Sequence, residues 1–303
     1  MTDLPRITPN IWFPGNAGEA IEFYTAAFGE GSEILHTVSY PKIGLPDFQR
    51  DFAGQLLVAD ICLRGYRMTA INAGEQFTPT PAISFMVNFD PLRYQDVAAA
   101  KADLDGLWGQ LSAGGRELMP LDHFEFSERY GWIQDRYGVS WQLMLTNPEG
   151  EPRPFIIPTF LFGQAHQNQA ENAIECWTNV FPNAAVGTKV RYPQPTGPAT
   201  VDSLMFSDFT LDGRWFAAMD SAVEQDSTFT EAVSLLVSCE DQDEIDRYWA
   251  ALSAVPEAEQ GGWCKDRFGV SWQIVPKDMD QLMQRPGAYE HLMDMKKLVI
   301  ADF

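Results

Sequence analysis

One stretch of this chain is written twice, and any fold it adopts must use that stretch twice. Residues 131–143 read GWIQDRYGVSWQL and residues 262–274 read GWCKDRFGVSWQI. Nine of the thirteen positions are identical, and the chain has no low-complexity sequence, so its 303 residues are two copies of one design. Within each stretch Asp and Gly hold the first and fourth places of a tight turn, at Asp135-Arg136-Tyr137-Gly138 and Asp266-Arg267-Phe268-Gly269. An Asp there accepts from the backbone two residues on, and Gly tolerates positive φ. Apolar residues alternate on either side, as in strands. The stretch is a β-hairpin, and its Asp and Gly are read as turn chemistry before catalysis.

The repeat places a boundary near residue 150. It divides the chain into a first domain at 1–150, a second at 151–280 and a helical tail at 281–303. The net charge of −21 is spread over both halves. Such a surface repels nucleic acid and anionic membranes and favours solubility. No basic stripe interleaved with aromatics argues otherwise. The cysteines, Cys62, Cys176, Cys239 and Cys264, form no CxxC pair and do not match between copies, which suits free thiols in a reducing compartment. The opening MTDLPRITPN has neither the basic nor the apolar region of a signal peptide, and no apolar run is long enough for a membrane span. A cytoplasmic, soluble protein is expected.

Along the chain, residues 7–13 (ITPNIWF) predict a strand. Asn16 and Glu19 have capping-box spacing, and Ala17, Ile21, Tyr24 and Phe28 follow at helical spacing until Gly29. Strands at 33–40, 54–64 and 66–71 complete a β-α-β-β-β order. A second unit runs through strand 82–89, a helix with Leu104, Leu107, Trp108 and Leu111 on one face, and strands near 116–121, 125–134 and 139–145. The second half answers the first: IIPTFLF for ITPNIWF, AVSLLVS for AISFMVN, Asp212-Gly213 for Arg64-Gly65. Ile245, Tyr248, Trp249 and Leu252 repeat the second helix's stripe position for position. One segment is not repeated. GGRELMPLDHFEFSERYGW before the first repeated hairpin becomes AVPEAEQGGW before the second, so two equal clefts are not expected. The tail predicts helical patches at Met279–Met283 and Ala288–Leu298, whose Met283, Leu292, Met293 and Met295 form an apolar surface that docks on the chain itself in preference to a partner.

Four such units, with GNAGEAIEFY and MPLDHFEFSERYGWIQDRYGVSWQL, resemble the vicinal oxygen chelate (glyoxalase/bleomycin-resistance) superfamily. Within it they are similar to the PhnB-like group often labelled "3-demethylubiquinone-9 3-methyltransferase". The resemblance implies an α+β fold of four βαβββ units in two tandem glyoxalase-like domains, with curled mixed sheets around clefts and helices outside. It also implies an internal pseudo-dimer, monomeric or homodimeric in solution. The methyltransferase label finds no support in the residues: no GxGxxG turn is present to hold a nucleotide-type cofactor, and no cofactor is expected.

Superfamily enzymes hold a divalent ion through His and Glu on the first and closing strands of paired units. Residues 5–18, 139–147, 152–165 and 270–276 contain no His, Asp, Glu or Cys, and Gln142 and Gln273 stand where the resemblance would put Glu. An amide is a weak ligand, so no metal site is expected. His36, His123, His166 and His291 recur in no ligand pattern. With Ile11 and Phe13 under the helix, Thr8, Asn10 and Trp12 face a cleft. Asn72, Trp132 and Gln142 join them in the first copy, while Thr159, Asp220, Trp263 and Gln273 serve the second. Asp220 and His36 are the candidates for acid–base work. Three readings stand: a metal-free binder of a small molecule, a lyase or isomerase with a metal in an atypical site, and a structural module whose clefts are filled.

Overall fold

The computed structural model describes residues 5–303, so the first four residues of the N-terminal reading lie outside it. The first unit comprises β1 (Ile7–Pro14), α1 (Ala17–Phe28), β2 (Glu33–Ser39), β3 (Leu56–Leu63) and β4 (Tyr66–Ala73). The second comprises β5 (Ile83–Phe89), α2 (Val97–Ser112), β6 (Arg116–Phe124), β7 (Ser127–Gln134) and β8 (Ser140–Leu145). The third has β9 (Ile156–Phe162), α3 (Ala170–Val180), β10 (Ala185–Arg191), β11 (Leu204–Leu211) and β12 (Arg214–Asp220). The fourth has β13 (Val233–Cys239), α4 (Gln242–Leu252), β14 (Trp263–Lys265) and β15 (Ser271–Pro276). It therefore departs from the expected βαβββ order: the shortened link leaves no counterpart of β6. The tail carries α5 (Met279–Leu282) and α6 (Ala288–Asp294), both shorter than the patches expected.

Each half gives one unit to each of two mixed sheets. The seven-stranded sheet runs β14-β15-β13-β1-β4-β3-β2, and the eight-stranded sheet runs β10-β11-β12-β9-β5-β8-β7-β6. At the middle of each, the first strands of two units pair antiparallel, β1 with β13 and β5 with β9. Units one and four thus share one sheet, and units two and three share the other. Alternation puts Ile11, Phe13, Phe85, Val87, Phe160 and Leu235 into a single helix-side core, leaving the opposite face of each sheet to form a cleft.

The repeated Asp explains why the hairpin is written twice. Asp135 Oδ1 accepts from the backbone N–H of Tyr137 (2.8 Å) and Val139 (3.0 Å), while Oδ2 accepts from Trp141 Nε1 (2.8 Å) and the Tyr24 hydroxyl on α1 (2.7 Å). Asp266 repeats this with Phe268, Val270, Trp272 and Trp177 on α3. Each carboxylate closes its own turn and ties its unit to the helix of the unit before it, which belongs to the other sheet. The sheets in turn join the halves. Burial pushes both carboxyls above their ordinary range, against the pull of the four donors.

The expected capping box does not form. Asn16 makes no side-chain cap bond; the start of α1 is held instead by Asn72 at the end of β4, whose Oδ1 accepts from Ala17 N at 3.0 Å. A neighbouring strand supplies the cap, so local spacing could not reveal it. The tail packs on the chain itself, burying Leu282, Ala288, Leu298 and Phe303 with Met279, Met283 and Met295 around them. Its course depends on the shortened link. Gly261 and Gly262, both at positive φ, donate to Met295 O and Lys296 O at 2.7 Å, and a Cβ on Gly262 would lie 3.1 Å from the Leu298 side chain.

Candidate functional site

The concave face of the seven-stranded sheet encloses a cavity of about 720 Å³. Its floor carries Gln273 on β15, Asn10 on β1, Thr69 on β4 and Asp60 on β3, with Ser234 on β13, fully buried, completing a polar row of one residue per strand. Gln273 Nε2 donates to Ser234 Oγ at 2.9 Å, and the Thr69 hydroxyl donates to Asp60 Oδ1 at 2.8 Å. Asn10 pairs in register with Ser234 and Thr69 and is 2 % exposed, yet its Oδ1 has no hydrogen-bond partner among the described residues. A buried amide oxygen left so costs on the order of 1–3 kcal/mol.

The walls are apolar. Trp12 Nε1 donates to Gly74 O, fixing the ring edge-to-face against Phe77 at 5.1 Å and Trp263 at 6.1 Å. Opposite, the tail contributes Met279, Met283, Leu292 and Met293. Tyr289 on α6 donates to Gln49 Oε1 at 2.7 Å, which ties the tail to the segment between β2 and β3 at the cavity wall. Burial pushes the Asp60 carboxyl above its ordinary range, and nearby Asp280 adds to this. The Thr69 hydrogen bond, His36 and Arg67 oppose it.

The corresponding row of the eight-stranded sheet is Gln142, Ser84, Thr159, Ala217 and Asp208, and on the same face of β5 Asn88 Oδ1 is buried without a partner among the described residues. Gln142 Nε2 donates to Ser84 Oγ (2.7 Å), and its Oε1 accepts from the Tyr130 hydroxyl (2.7 Å). Asp208, in the place of Asp60, is held by Arg153 at 2.8 Å. Met86, Ile157 and Ala217 fill the face, with Met144, Phe206 and Trp215 packed on them.

Of the ten residues singled out from sequence, Thr8 lines the open cavity and Thr159 lies on β9 in the filled sheet, and the other eight separate into three places. Asn10, Trp12, Trp263 and Gln273 meet in the open cavity, although they come from opposite halves of the chain. Trp132 and Gln142 lie on the filled sheet, Trp132 Nε1 donating to Ser140 Oγ. Asn72 and Asp220 are on the helix side, at matching positions. Asn72 bonds Ala17 N and Leu56 O, and Asp220 accepts from Ala170 N (3.1 Å) and Leu204 N (2.8 Å), so both are occupied in holding their units. His36 is exposed on β2 beside Asp60 in register. Sequence reasoning passed over Asp60 and Thr69. The signal for Asp60 was an acidic residue inside the otherwise apolar strand LLVADICL.

A divalent ion does not fit these residues. The first and closing strands present Thr8, Asn10, Trp12 and Gln273 to the cavity, and among the described residues no three His, Cys, Asp or Glu side chains are placed to hold an ion.

Two curled mixed sheets, each made from a pair of βαβ-type units around a cleft, define the glyoxalase-like fold of the vicinal oxygen chelate proteins. Glyoxalase I from Zea mays superposes with a TM-score of 0.50 over 92% of this chain and 95% of that one, at 12% identity, a likeness of fold alone. The sequence pattern of the family described as "3-demethylubiquinone-9 3-methyltransferase" matches residues 5–144 and 154–275, and the chain belongs to that family as a tandem, two-domain, PhnB-like form. A PhnB protein from Bacillus cereus, described as a putative 3-demethylubiquinone-9 3-methyltransferase, is 33% identical. It covers 46% of this chain and 98% of its own, with a TM-score of 0.38. Protein PA1353 from Pseudomonas aeruginosa covers 45% of this chain and 94% of its own at 21% identity and a TM-score of 0.37. No curated protein matches. Among the described residues no helix is long and apolar enough to cross a membrane.

Proposed function

We propose that the chain binds a small, partly flat organic molecule in the cavity of the seven-stranded sheet, without a metal, and that the eight-stranded sheet has kept the architecture but closed its cleft. The supporting observation is the contrast between two matching polar rows. In the filled sheet the Tyr130 hydroxyl and the Arg153 guanidinium occupy Gln142 and Asp208, whereas in the open sheet Gln273 is bonded to Ser234 and Asp60 to the neutral Thr69 hydroxyl. A large apolar cavity with a few convergent polar groups is the usual form of a ligand site. The methyl-transfer description of the family has no counterpart in a Gly-rich strand-to-helix turn here.

The experiment is a thermal-shift screen of small aromatic and heteroaromatic compounds against wild type and Trp12→Ala, followed by calorimetry of any hit. A ligand that stabilises wild type and fails on Trp12→Ala supports the reading. Hits that ignore Trp12, or a broad screen with no hit, count against it.

A further inference from the structure

The filled sheet shows what its own row accepts. Asp60 and Asp208 hold the same place on their strands: LLVADICL and LMFSDFTL align without a gap, and each precedes its tight turn, Arg64-Gly65 or Asp212-Gly213, by the same interval. Both carboxylates point to the cleft side, opposite in register to Thr69 and Ala217. In the filled cleft the occupant of this aspartate belongs to the chain. Arg153, from the segment before β9, donates Nε and a terminal nitrogen to Asp208 Oδ2 at 2.9 and 2.8 Å, and its guanidinium lies 4.5 Å from the centre of the Trp215 ring. The second oxygen, Oδ1, accepts from Thr188 N at 2.7 Å. This is a cation with several N–H donors, seated on a carboxylate and covered by an aromatic ring.

At Asp60 the hydrogen-bond donor among the described residues is the neutral Thr69 hydroxyl, and His36 and Arg67 act at longer range. The Asp60 carboxylate, Asn10 and Gln273 line the cavity, and Asn10 Oδ1 is buried beneath it without a partner among the described residues. Of the other charges lining it, Glu231 is bound to Lys265 and Lys277 to Glu240, and Arg67, Asp280 and Glu257 complete the set.

We infer that the open cavity takes a ligand with a cationic, donor-rich head, a guanidinium, amidinium or ammonium group, on Asp60, and an aromatic or aliphatic body against the wall formed by Trp12 and Trp263. The ligand supplies to Asp60 what Arg153 supplies to Asp208. This rests on the binding reading above and adds the ligand's charge. A charge-assisted hydrogen bond in a partly desolvated site favours such a head over a neutral one, and aromatic walls suit a flat cation.

The test uses the full chain and three probes with one ring system: naphthalene-2-carboxamidine, naphthalene-2-carboxamide and 2-naphthoate, titrated by calorimetry and by quenching of tryptophan fluorescence. The amidine is expected to bind ~10-fold or more tightly than either of the others. Asp60→Asn should abolish that preference with a melting temperature no lower than wild type. Asp208→Asn, on the filled sheet, should leave the preference intact. Equal or tighter binding of the amide or naphthoate, or a preference that survives Asp60→Asn, overturns the inference. If the neutral and anionic probes bind in a Trp12-dependent way, the cavity reading stands without it; if no probe binds and the wider screen is blank, both fall. Arg153→Ala gives an independent check. Millimolar ethylguanidine should raise its melting temperature more than that of wild type, and an equal effect on both contradicts the role assigned to Arg153.

Discussion

Replacing Asp266 by Ala should be among the most damaging single changes in this chain. Its carboxylate accepts four hydrogen bonds, from Phe268 N, Val270 N, Trp177 Nε1 and Trp272 Nε1, all between 2.8 and 3.0 Å. Both indoles are fully buried, so water cannot replace the lost acceptor. Two orphaned buried donors cost about 1–3 kcal/mol each, and losing the turn bonds adds about 1 kcal/mol, so a destabilisation of ~3–7 kcal/mol is expected. Asp135→Ala should match it, since Trp141, Tyr24 and two backbone amides repeat the arrangement. The assay is urea unfolding followed by tryptophan fluorescence, reading the midpoint at constant slope. Removing one donor in advance, as in Trp272→Phe, should make the effect of Asp266→Ala smaller than in wild type, a coupling that a double-mutant cycle measures. A loss below ~1 kcal/mol, or strictly additive changes, would refute the view that these carboxylates fasten the units together.

Other outcomes follow from the same contacts. Arg153→Ala strands Asp208, which is 2 % exposed, and should cost ~3–5 kcal/mol in urea unfolding, with part regained in Arg153→Ala/Asp208→Asn. Removing residues 277–303 takes away the tail wall and should weaken any cavity ligand ~10-fold or more by calorimetry. Burial and nearby Lys265 hold His166 below its ordinary range. Its folded pKa lies under the unfolded value, so its contribution to stability is complete above pH ~6.5 and is lost as pH falls through the folded pKa. Melting followed from pH 7 to pH 5 should show a drop that His166→Gln reduces.

Much of the fold was legible because it rests on local signals. The alternation in ITPNIWF and AISFMVN gave strands, the stripe of Leu104, Leu107, Trp108 and Leu111 gave a buried helix face, and the unmatched link before Gly261-Gly262 gave the one place where the copies differ. How the copies meet was not legible. Asn10 and Gln273 lie at opposite ends of the chain and share a cavity only because β1 pairs with β13, and the strand pairing that decides this involves main-chain groups common to every residue. Asn72 and Asp220 were misleading for a related reason: a polar residue ending an apolar strand reads alike whether it faces a cleft or caps a neighbouring helix. Asp60 was hidden because its strand gave no sign of which face would remain open.

The most direct test of the account is the stoichiometry and location of ligand binding in the intact chain. With any ligand found in the thermal screen, calorimetry should give one site per chain, lost in Trp12→Ala and Asn10→Leu and unchanged in Gln142→Ala. Two equivalent sites, a site that follows Gln142, or binding that needs an added divalent ion would contradict it.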